Sequence, residues 1–263
     1  MPRLSIVIVS YNAREDLERC LQSLVRAAPS VDHEIIVVDN ASTDDSAAAV
    51  RARWPGVRLI DAGANVGFAK ANNMGIRASF GELLLLLNGD TLVPPGAIDR
   101  LVAVLDARPA VAVVGPRLVD GNGRAELSFG RMLSPLNELR QKLRARGNVE
   151  RLTSREREVD WVSGACLLVR RADAEAVGLL DERYFMYTED VDFCAAIRAR
   201  GRRVLYTPSA EFVHLRGRSR QTAPRATESA YRRSQIAFYE KHHPRWAPIL
   251  RIYLRLRART PDN

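Results

Sequence analysis

The chain predicts an α/β protein with a mostly parallel central sheet flanked by helices. Three observations carry this expectation. Strand-like segments alternate with amphipathic helical ones through the first part of the chain. One segment, Leu83-Leu84-Leu85-Leu86-Leu87, is apolar at every position, which requires packing on both faces and therefore a place in the middle of the sheet. Acidic residues, Asp39 and Asp90, close two of the strand segments. Both carboxylates then fall on the edge where open α/β sheets bind ligands, outside the carboxyl ends of the strands.

The elements follow in order. Residues 4–9 are rich in β-branched side chains and lead into the polar loop Ser10-Tyr11-Asn12. Leu17, Cys20, Leu21, Leu24 and Val25 then recur at helical spacing. Residues 34–39 repeat the strand, and Asn40-Ala41-Ser42-Thr43-Asp44-Asp45 is a loop ending in residues that cap helices. A third strand covers 57–60, and the stretch from Gly63 to Gly75 is a glycine- and asparagine-rich entry into a helix. The leucine strand, a helix from about Pro95 to Asp106 and a strand over 111–115 complete a series joined by right-handed crossovers.

After Pro116 the pattern changes. Asp120-Gly121-Asn122-Gly123 signals a hairpin turn, hence a small antiparallel part. Residues 137–158 are polar and arginine-rich without apolar periodicity, and read as a mobile loop. Residues 160–169 form a buried strand, 189–200 a helix and 203–206 a strand. The tail, 228–259, is helical: Ile249, Ile252, Tyr253 and Leu256 fall at 3–4 spacing, with arginines at 251, 255, 257 and 259. That is a basic amphipathic pattern, although packing on the body of the protein suits its first half equally well. The expected organisation is one domain over 1–218 and a helical extension over 219–263.

Composition bounds the function. With 46% hydrophobic and 27% charged residues in 263, the chain has the make-up of a soluble globular protein with a sizeable core. Cys20, Cys166 and Cys194 are far apart and lack CxxC spacing, which argues against a disulfide frame or a thiolate zinc site and for a reducing, cytoplasmic setting. The opening residues read as a strand and not as a signal peptide, and no window supplies the apolar length of a membrane span. From His214 onward there are 12 Lys/Arg against 3 Asp/Glu, an excess equal to the +9 of the whole chain. The body is therefore near neutral, and the basic tail points to an anionic surface. No nucleic-acid-binding module is recognisable there, so the surface expected is the inner face of a membrane, contacted peripherally.

The candidate site lies where carboxylates gather. Asp90 follows Asn88-Gly89 at the tip of the leucine strand, a position suited to a divalent cation held by few protein oxygens and by substrate phosphates. Capping of the next helix by Asp90 or Thr91 is the plain alternative. Thr188-Glu189-Asp190-Val191-Asp192 opens a helix, where acids also complement the dipole. Tyr184-Phe185-Met186-Tyr187 before it would supply an apolar wall that raises a carboxyl pKa towards that of a general base. His214 ends the last strand before the tail, as a structural histidine or a ligand. Together these groups suit metal-assisted transfer from a nucleotide diphosphate.

Five segments resemble the family 2 glycosyltransferases: residues 5–12, residues 37–44, Asn65-Val66-Gly67-Phe68-Ala69 with Asn72-Asn73-Met74-Gly75, Leu86-Leu87-Asn88-Gly89-Asp90-Thr91, and Tyr187-Thr188-Glu189-Asp190-Val191-Asp192. Each is weak alone; five in the family's order, over about residues 4–245, are specific. The resemblance implies a GT-A fold and an inverting transfer of a sugar from a nucleotide-sugar donor, with the bacterial rhamnosyltransferase-like enzymes of envelope polysaccharide synthesis as the nearest branch. It implies that Ser10, Tyr11, Asn12, Asp39, Asn65 and Gly67 border the nucleotide, and that Asn88 and Asp90 lie at the diphosphate. Asp90 and His214 would hold Mg²⁺ or Mn²⁺. Asp190, beside Glu189, would be the base, and Trp161, Ser163 and Gly164 would line the sugar and acceptor cleft.

The implied partners are a dTDP-, UDP- or GDP-linked donor and a glycan or polyprenyl-linked acceptor; oligomeric state stays open, a homodimer included. Position 88 departs from the family, which often carries Asp there. An amide oxygen ligates without charge, so metal affinity should fall. Two other readings stand beside this one. A sugar nucleotidyltransferase would normally show a glycine-rich phosphate loop with a basic residue after the first strand, and Ser10-Tyr11-Asn12 is not that. A catalytically weak, membrane-associated binding or scaffolding subunit is the other, suggested by Asn88.

Overall fold

The computed structural model describes residues 1–134, 149–215 and 224–259. Strand β1 (Leu4–Ser10) lies between β2 (His33–Asp39) and β4 (Leu83–Asn88), parallel to both, and β3 (Val57–Asp61) extends the block beyond β2. Next to β4 stands one reversed strand. β11 (Cys166–Arg170) runs antiparallel to β4 and to β6 (Val111–Val119), and β12 (Arg203–His214) then runs parallel to β6. The short β5 (Thr91–Leu92) closes the edge against the end of β12. The sheet is thus mostly parallel, with one reversed strand at its centre, as the alternating pattern predicts.

β4 is paired on both edges and covered on both faces. Leu83, Leu85 and Leu87 pack with Leu17, Cys20, Leu21 and Leu24 of α1 (Arg14–Arg26) and with Ile98, Leu101 and Leu105 of α4 (Ala97–Asp106). Leu84 and Leu86 face Ile76 of α3 (Phe68–Ala78) and Phe193 and Ile197 of α7 (Glu189–Ala199) on the other side. All five leucines are at most 4% exposed. Val25 departs from the helical stripe and is 61% exposed, because its position on α1 turns it past the contact with the sheet. Between β2 and β3, α2 (Ser46–Arg53) adds Val50 to the same core as α1.

The hairpin expected at 120–123 joins β6 to β7 (Ala125–Glu126), with Asp120 N–H donating to Arg124 O and Gly123 in the left-handed region at φ +76°. The loop expected over 137–158 is corrected in its later part. Residues 149–158 carry α5 (Val149–Thr153) and most of β9 (Arg157–Val159), which pairs with β12. Tyr206 Oη donates to Thr153 O at 2.7 Å, and Arg117 pairs with Glu150. Polar contacts to distant residues fix this stretch, so no apolar period marked it. The earlier part of that segment, 137–148, lies outside the described residues. The single strand expected over 160–169 is two: β10 (Trp161–Val162) pairs with β8 (Phe129–Gly130) in a separate sheet, and a turn at 163–165 leads into β11 and then α6 (Arg171–Ala176).

The tail forms α8 (Pro224–His242) and α9 (Ala247–Arg259). Phe238 and Tyr239 of α8 and Ala247 of α9 join Tyr184 and Val191 in a buried cluster. Lys241 Nζ lies 2.8 Å from both Asp181 and Asp192, and His242 Nε2 lies 2.6 Å from Asp192. Ser234 Oγ donates to Met186 O. The first half of the tail therefore packs on the body. The side chains of Leu256, Arg257 and Arg259 lie outside the described residues. Among the described residues, no helix is long and apolar enough to cross a membrane.

α3 approaches the sheet most closely at Gly75, where a Cβ would run into Val7 Cγ1 and come within 3.2 Å of Val38 Cγ2. Both neighbours are β-branched and stiff, so they yield little. Gly75→Ala should lower the unfolding free energy by about 1–3 kcal/mol despite the better helix propensity of alanine. Urea unfolding should show it as a lower midpoint at an unchanged slope.

Candidate active site

The register of the parallel block sets the site. Ser10 is paired with Asp39, Val9 with Asn88, and Leu87 with Cys166, so β2, β1 and β4 end on one edge, next to the turn that starts β11. Neighbouring strands lie about 4.8 Å apart. Asp39, Ser10, Asn88 and the 163–165 turn therefore share a narrow rim. Asn88 N–H donates to Ala165 O at 3.0 Å, tying the tip of the leucine strand to that turn. Thr91 lies in β5, not at a helix start, and α4 begins only at Ala97.

On the β1–β2 side, two loops are stitched together. Asn12, in the left-handed region at φ 49°, donates its N–H to Ser42 Oγ and accepts the Thr43 N–H at its side-chain oxygen. Asp39 Oδ2 accepts the Ser42 N–H at 3.1 Å. Asn40, buried between the loops, donates to Asn65 Oδ1 at 2.9 Å and accepts the Val66 N–H at 2.9 Å. Asn65 Oδ1 also accepts the Gly67 N–H. At Gly67 (φ +86°) a Cβ would lie 2.5 Å from Phe185 O, which accepts the Phe68 N–H, so only glycine fits that junction. Tyr11 is 46% exposed at the mouth.

On the other side stands Asp90, half-buried, whose Oδ1 lies 3.3 Å from His214 Nε2. His214 Nδ1 lies 3.2 Å from Glu126 Oε2 in the β6–β7 hairpin. Burial would lower the histidine pKa, but its hydrogen bonds to Asp90 and Glu126 prevail and raise it to about 9. The imidazolium is thus clamped between two carboxylates. Asp90 O also accepts the Leu215 N–H, which fixes the loop to the end of β12. The two residues expected as metal ligands are neighbours, and Glu126 is a third partner without any signal in the sequence.

The acidic first turn of α7 closes the rim through Gly164, whose N–H donates to Asp190 Oδ2 at 2.8 Å. Asp190 is half-buried; burial raises its carboxyl pKa, against hydrogen bonds from the Gly164 and Val191 N–H groups. Glu189 is 5% exposed, and burial, then the charge of Asp190, push its carboxyl well above the usual range. The expected aromatic wall is built differently. Tyr184 turns into the α8 contact, donating to Asp192 Oδ1, and Phe185 is 45% exposed. The Phe68 ring takes its place, 3.5 Å from where a Gly164 Cβ would stand. Ser163 N–H donates to Ser128 O, while the Trp161 ring packs over Gly130 and its indole donates to Arg131 O.

Five buried oxygens of these segments have no hydrogen-bond partner: Ser10 Oγ, Asp39 Oδ1, Asn88 Oδ1, Thr188 Oγ1 and Glu189 Oε2. Unpaired buried oxygens of this kind in a native protein ask for a ligand, an ion or water. Among the described residues, no three acidic, histidine or cysteine side chains are grouped to hold a metal ion by themselves, so a divalent cation at this edge would take most of its shell from phosphate and water.

Parallel strands that end at Asp39 and Asn88, with Asp90 just beyond them, form the kind of edge on which open α/β sheets bind ligands. A family model described as "Glycosyl transferase family 2" matches residues 5–178. An N-acetylglucosaminyl-diphospho-decaprenol L-rhamnosyltransferase of Mycobacterium tuberculosis is 35% identical over 286 aligned residues, which take in 97% of this chain and 91% of that protein. The fold matches a mannosyltransferase from Pyrobaculum calidifontis in complex with GDP-Man and Mn²⁺ (TM-score 0.66, 21% identity, 95% of this chain and 68% of that one). It also matches a GalNAc transferase crystallised with UDP, GalNAc and Mn²⁺ (TM-score 0.63, 19% identity, 81% of this chain and 44% of that one). The chain belongs to glycosyl transferase family 2 and is a glycosyltransferase.

Asn40 carries no signal in the sequence that marks it as a site residue, yet it holds both loops on the β1–β2 side. Asn40→Ala would strand buried partners and should cost about 1–3 kcal/mol, read as a lower urea midpoint.

Proposed function

We propose that the chain transfers a sugar, with inversion at the anomeric carbon, from a nucleotide-diphosphate donor to a hydroxyl of a polyprenyl-linked glycan in envelope polysaccharide synthesis. Rhamnose is the leading sugar because of the likeness to the mycobacterial rhamnosyltransferase, and dTDP is the nucleotide that the family resemblance puts ahead of UDP and GDP. The observation that carries the reading is the set of buried, partnerless oxygens on the rim that Asp39, Asp90 and Asp190 share.

Ser10, Tyr11, Asn12, Asp39, Asn65 and Gly67 border the nucleotide, and their loops are held before the donor arrives. Asp90 would hold Mg²⁺ or Mn²⁺, with the Asn88 amide oxygen beside it and His214 able to join once its proton has left. A cation bound there neutralises the leaving diphosphate. Asp190 takes the proton of the acceptor hydroxyl as that oxygen attacks the face opposite the leaving group, with Glu189 beside it. One base and a single displacement require inversion. Trp161, Ser163 and Gly164 line the sugar and acceptor side, Gly164 also aiming Asp190 through its N–H.

Asp190→Asn should lower kcat by about 10²–10⁴-fold while leaving donor affinity intact. Release of nucleotide diphosphate from a panel of nucleotide sugars reads the first, and calorimetric titration the second. Full turnover by the variant removes Asp190 from the role. Pyrophosphate release from a nucleoside triphosphate would indicate a nucleotidyltransferase, and no release at all a binding subunit. Because the Asp190 carboxyl is raised, its basic form accumulates only above the ordinary carboxylate range. The acid limb of kcat should therefore be displaced upward in pH, and a limb at the unperturbed aspartate value would contradict the assignment.

The metal has its own test. Mn²⁺ should tighten nucleoside diphosphate binding to the parent protein and not to Asp90→Ala. Asp39→Ala should weaken binding with and without the metal.

A further inference from the structure

Helix α9 has two unlike apolar sides. Ala247 and Leu250 pack into the cluster that α8 forms against Tyr184 and Val191. Trp246, Ile249, Ile252 and Tyr253 stand on the other side at helical spacing and are 50%, 56%, 59% and 50% exposed. The inner stripe packs into the body, whereas the outer one keeps half or more of its surface open to water. Arg245 and Arg255, both exposed, stand beside the outer stripe, whereas Arg251 turns towards α8 and is paired with Glu240. Aliphatic side chains with a Trp and a Tyr, edged by arginines, match the surface a helix presents when it lies in a bilayer interface.

We infer that the outer face of α9, Trp246, Ile249, Ile252 and Tyr253 with Arg245 and Arg255, docks on an anionic phospholipid surface. This rests on the proposed lipid-linked acceptor only for its purpose, not for its evidence. Charge selects the occupant. The tail carries the whole net positive charge of the chain. A second copy pairing through the same face would bring arginine edges together, whereas anionic headgroups meet them with opposite charge.

Placement gives docking a consequence. α9 follows α8 after four residues, 243–246, and α8 is bonded through Lys241 and His242 to Asp192. Asp192 lies in the same helical turn as Asp190, the proposed base. The bilayer-facing helix and the base-bearing helix are therefore packed through one intermediary, and a bound surface holds the cleft in one orientation towards a lipid-linked substrate. The structure also redirects the obvious test. Truncation after residue 220 would remove α8 and uncover Tyr184, Val191 and Asp192, so substitutions on the exposed face are the better probe.

The experiment uses the full chain and vesicles of phosphatidylcholine with or without phosphatidylglycerol. The parent protein should sediment with the anionic vesicles only, and added salt should weaken binding. Trp246→Ser with Ile249→Ser and Ile252→Ser should bind at least about tenfold more weakly, with an unchanged urea midpoint because the replaced side chains are exposed. Arg245→Ala and Arg255→Ala should each cost about fivefold. Binding of the triple variant equal to the parent's overturns the inference. So does concentration-dependent dimerisation that the triple variant abolishes without vesicle binding by the parent, which would assign the face to a second copy. Nucleotide diphosphate release with a water-soluble acceptor should be equal in the two proteins. Activity without vesicle binding sinks the docking and spares the transferase reading; vesicle binding without activity does the reverse.

Discussion

The structure depends on β4 being enclosed. A strand whose five leucines are all covered, and whose two edges are both hydrogen-bonded, can be neither displaced nor shifted in register without exposing apolar surface. Its first polar residue is therefore delivered to a fixed point. Asn88 is tied there by its N–H to Ala165, and Gly89-Asp90 lies just beyond the sheet. The same enclosure fixes the neighbours: β1 presents Ser10, β2 presents Asp39, and the turn into β11 presents Gly164 to Asp190. Apolar burial thus supplies the rigidity on which polar geometry relies.

The reversed strand explains how a distant part of the chain reaches this rim. Were β11 parallel to β4, its start would fall at the opposite end of the sheet. Running antiparallel, it begins beside Asn88, and the three residues before it form the turn that holds Asp190. The hairpin that contributes Glu126 and the end of β12 that contributes His214 converge for a related reason, since β6 and β12 run parallel and finish together. Asp90 therefore meets a histidine already committed to a second carboxylate.

What the sequence could say about this arrangement follows the range of each interaction. The main strands and α1 were legible because burial imposes a period on neighbouring residues, α3 and α7 through the composition of their first turns, and the motif residues through resemblance. The β10–β8 pairing, α5 and β9 were not, because contacts such as Tyr206 to Thr153 and Arg117 to Glu150 join residues 53 and 33 positions apart and leave no local pattern. Glu126 is the plainest case. It follows a hairpin signal that any glutamate could follow, and its tie to His214 exists only after β6, β7 and β12 are assembled. The substitution of Phe68 for the 184–187 segment as the apolar neighbour of Gly164 has the same origin, since Gly67 brings two distant backbones within one Cβ radius.

Asn88 is best understood with its surroundings. A second carboxylate at that position would add negative charge beside Asp90 in a half-buried rim, where like charges disfavour one another. With the amide, the negative charge near the tip rests on Asp90 and Glu126, and His214 offsets it in the resting arrangement. The imidazolium thus occupies the electrostatic place that a cation would take, and any cation must either displace it or wait for its proton to leave. On that physics, an uncharged residue at 88 and a charged histidine at 214 are two halves of one balance. A metal proposed for this rim would be held less eagerly than by an edge with two unpaired carboxylates.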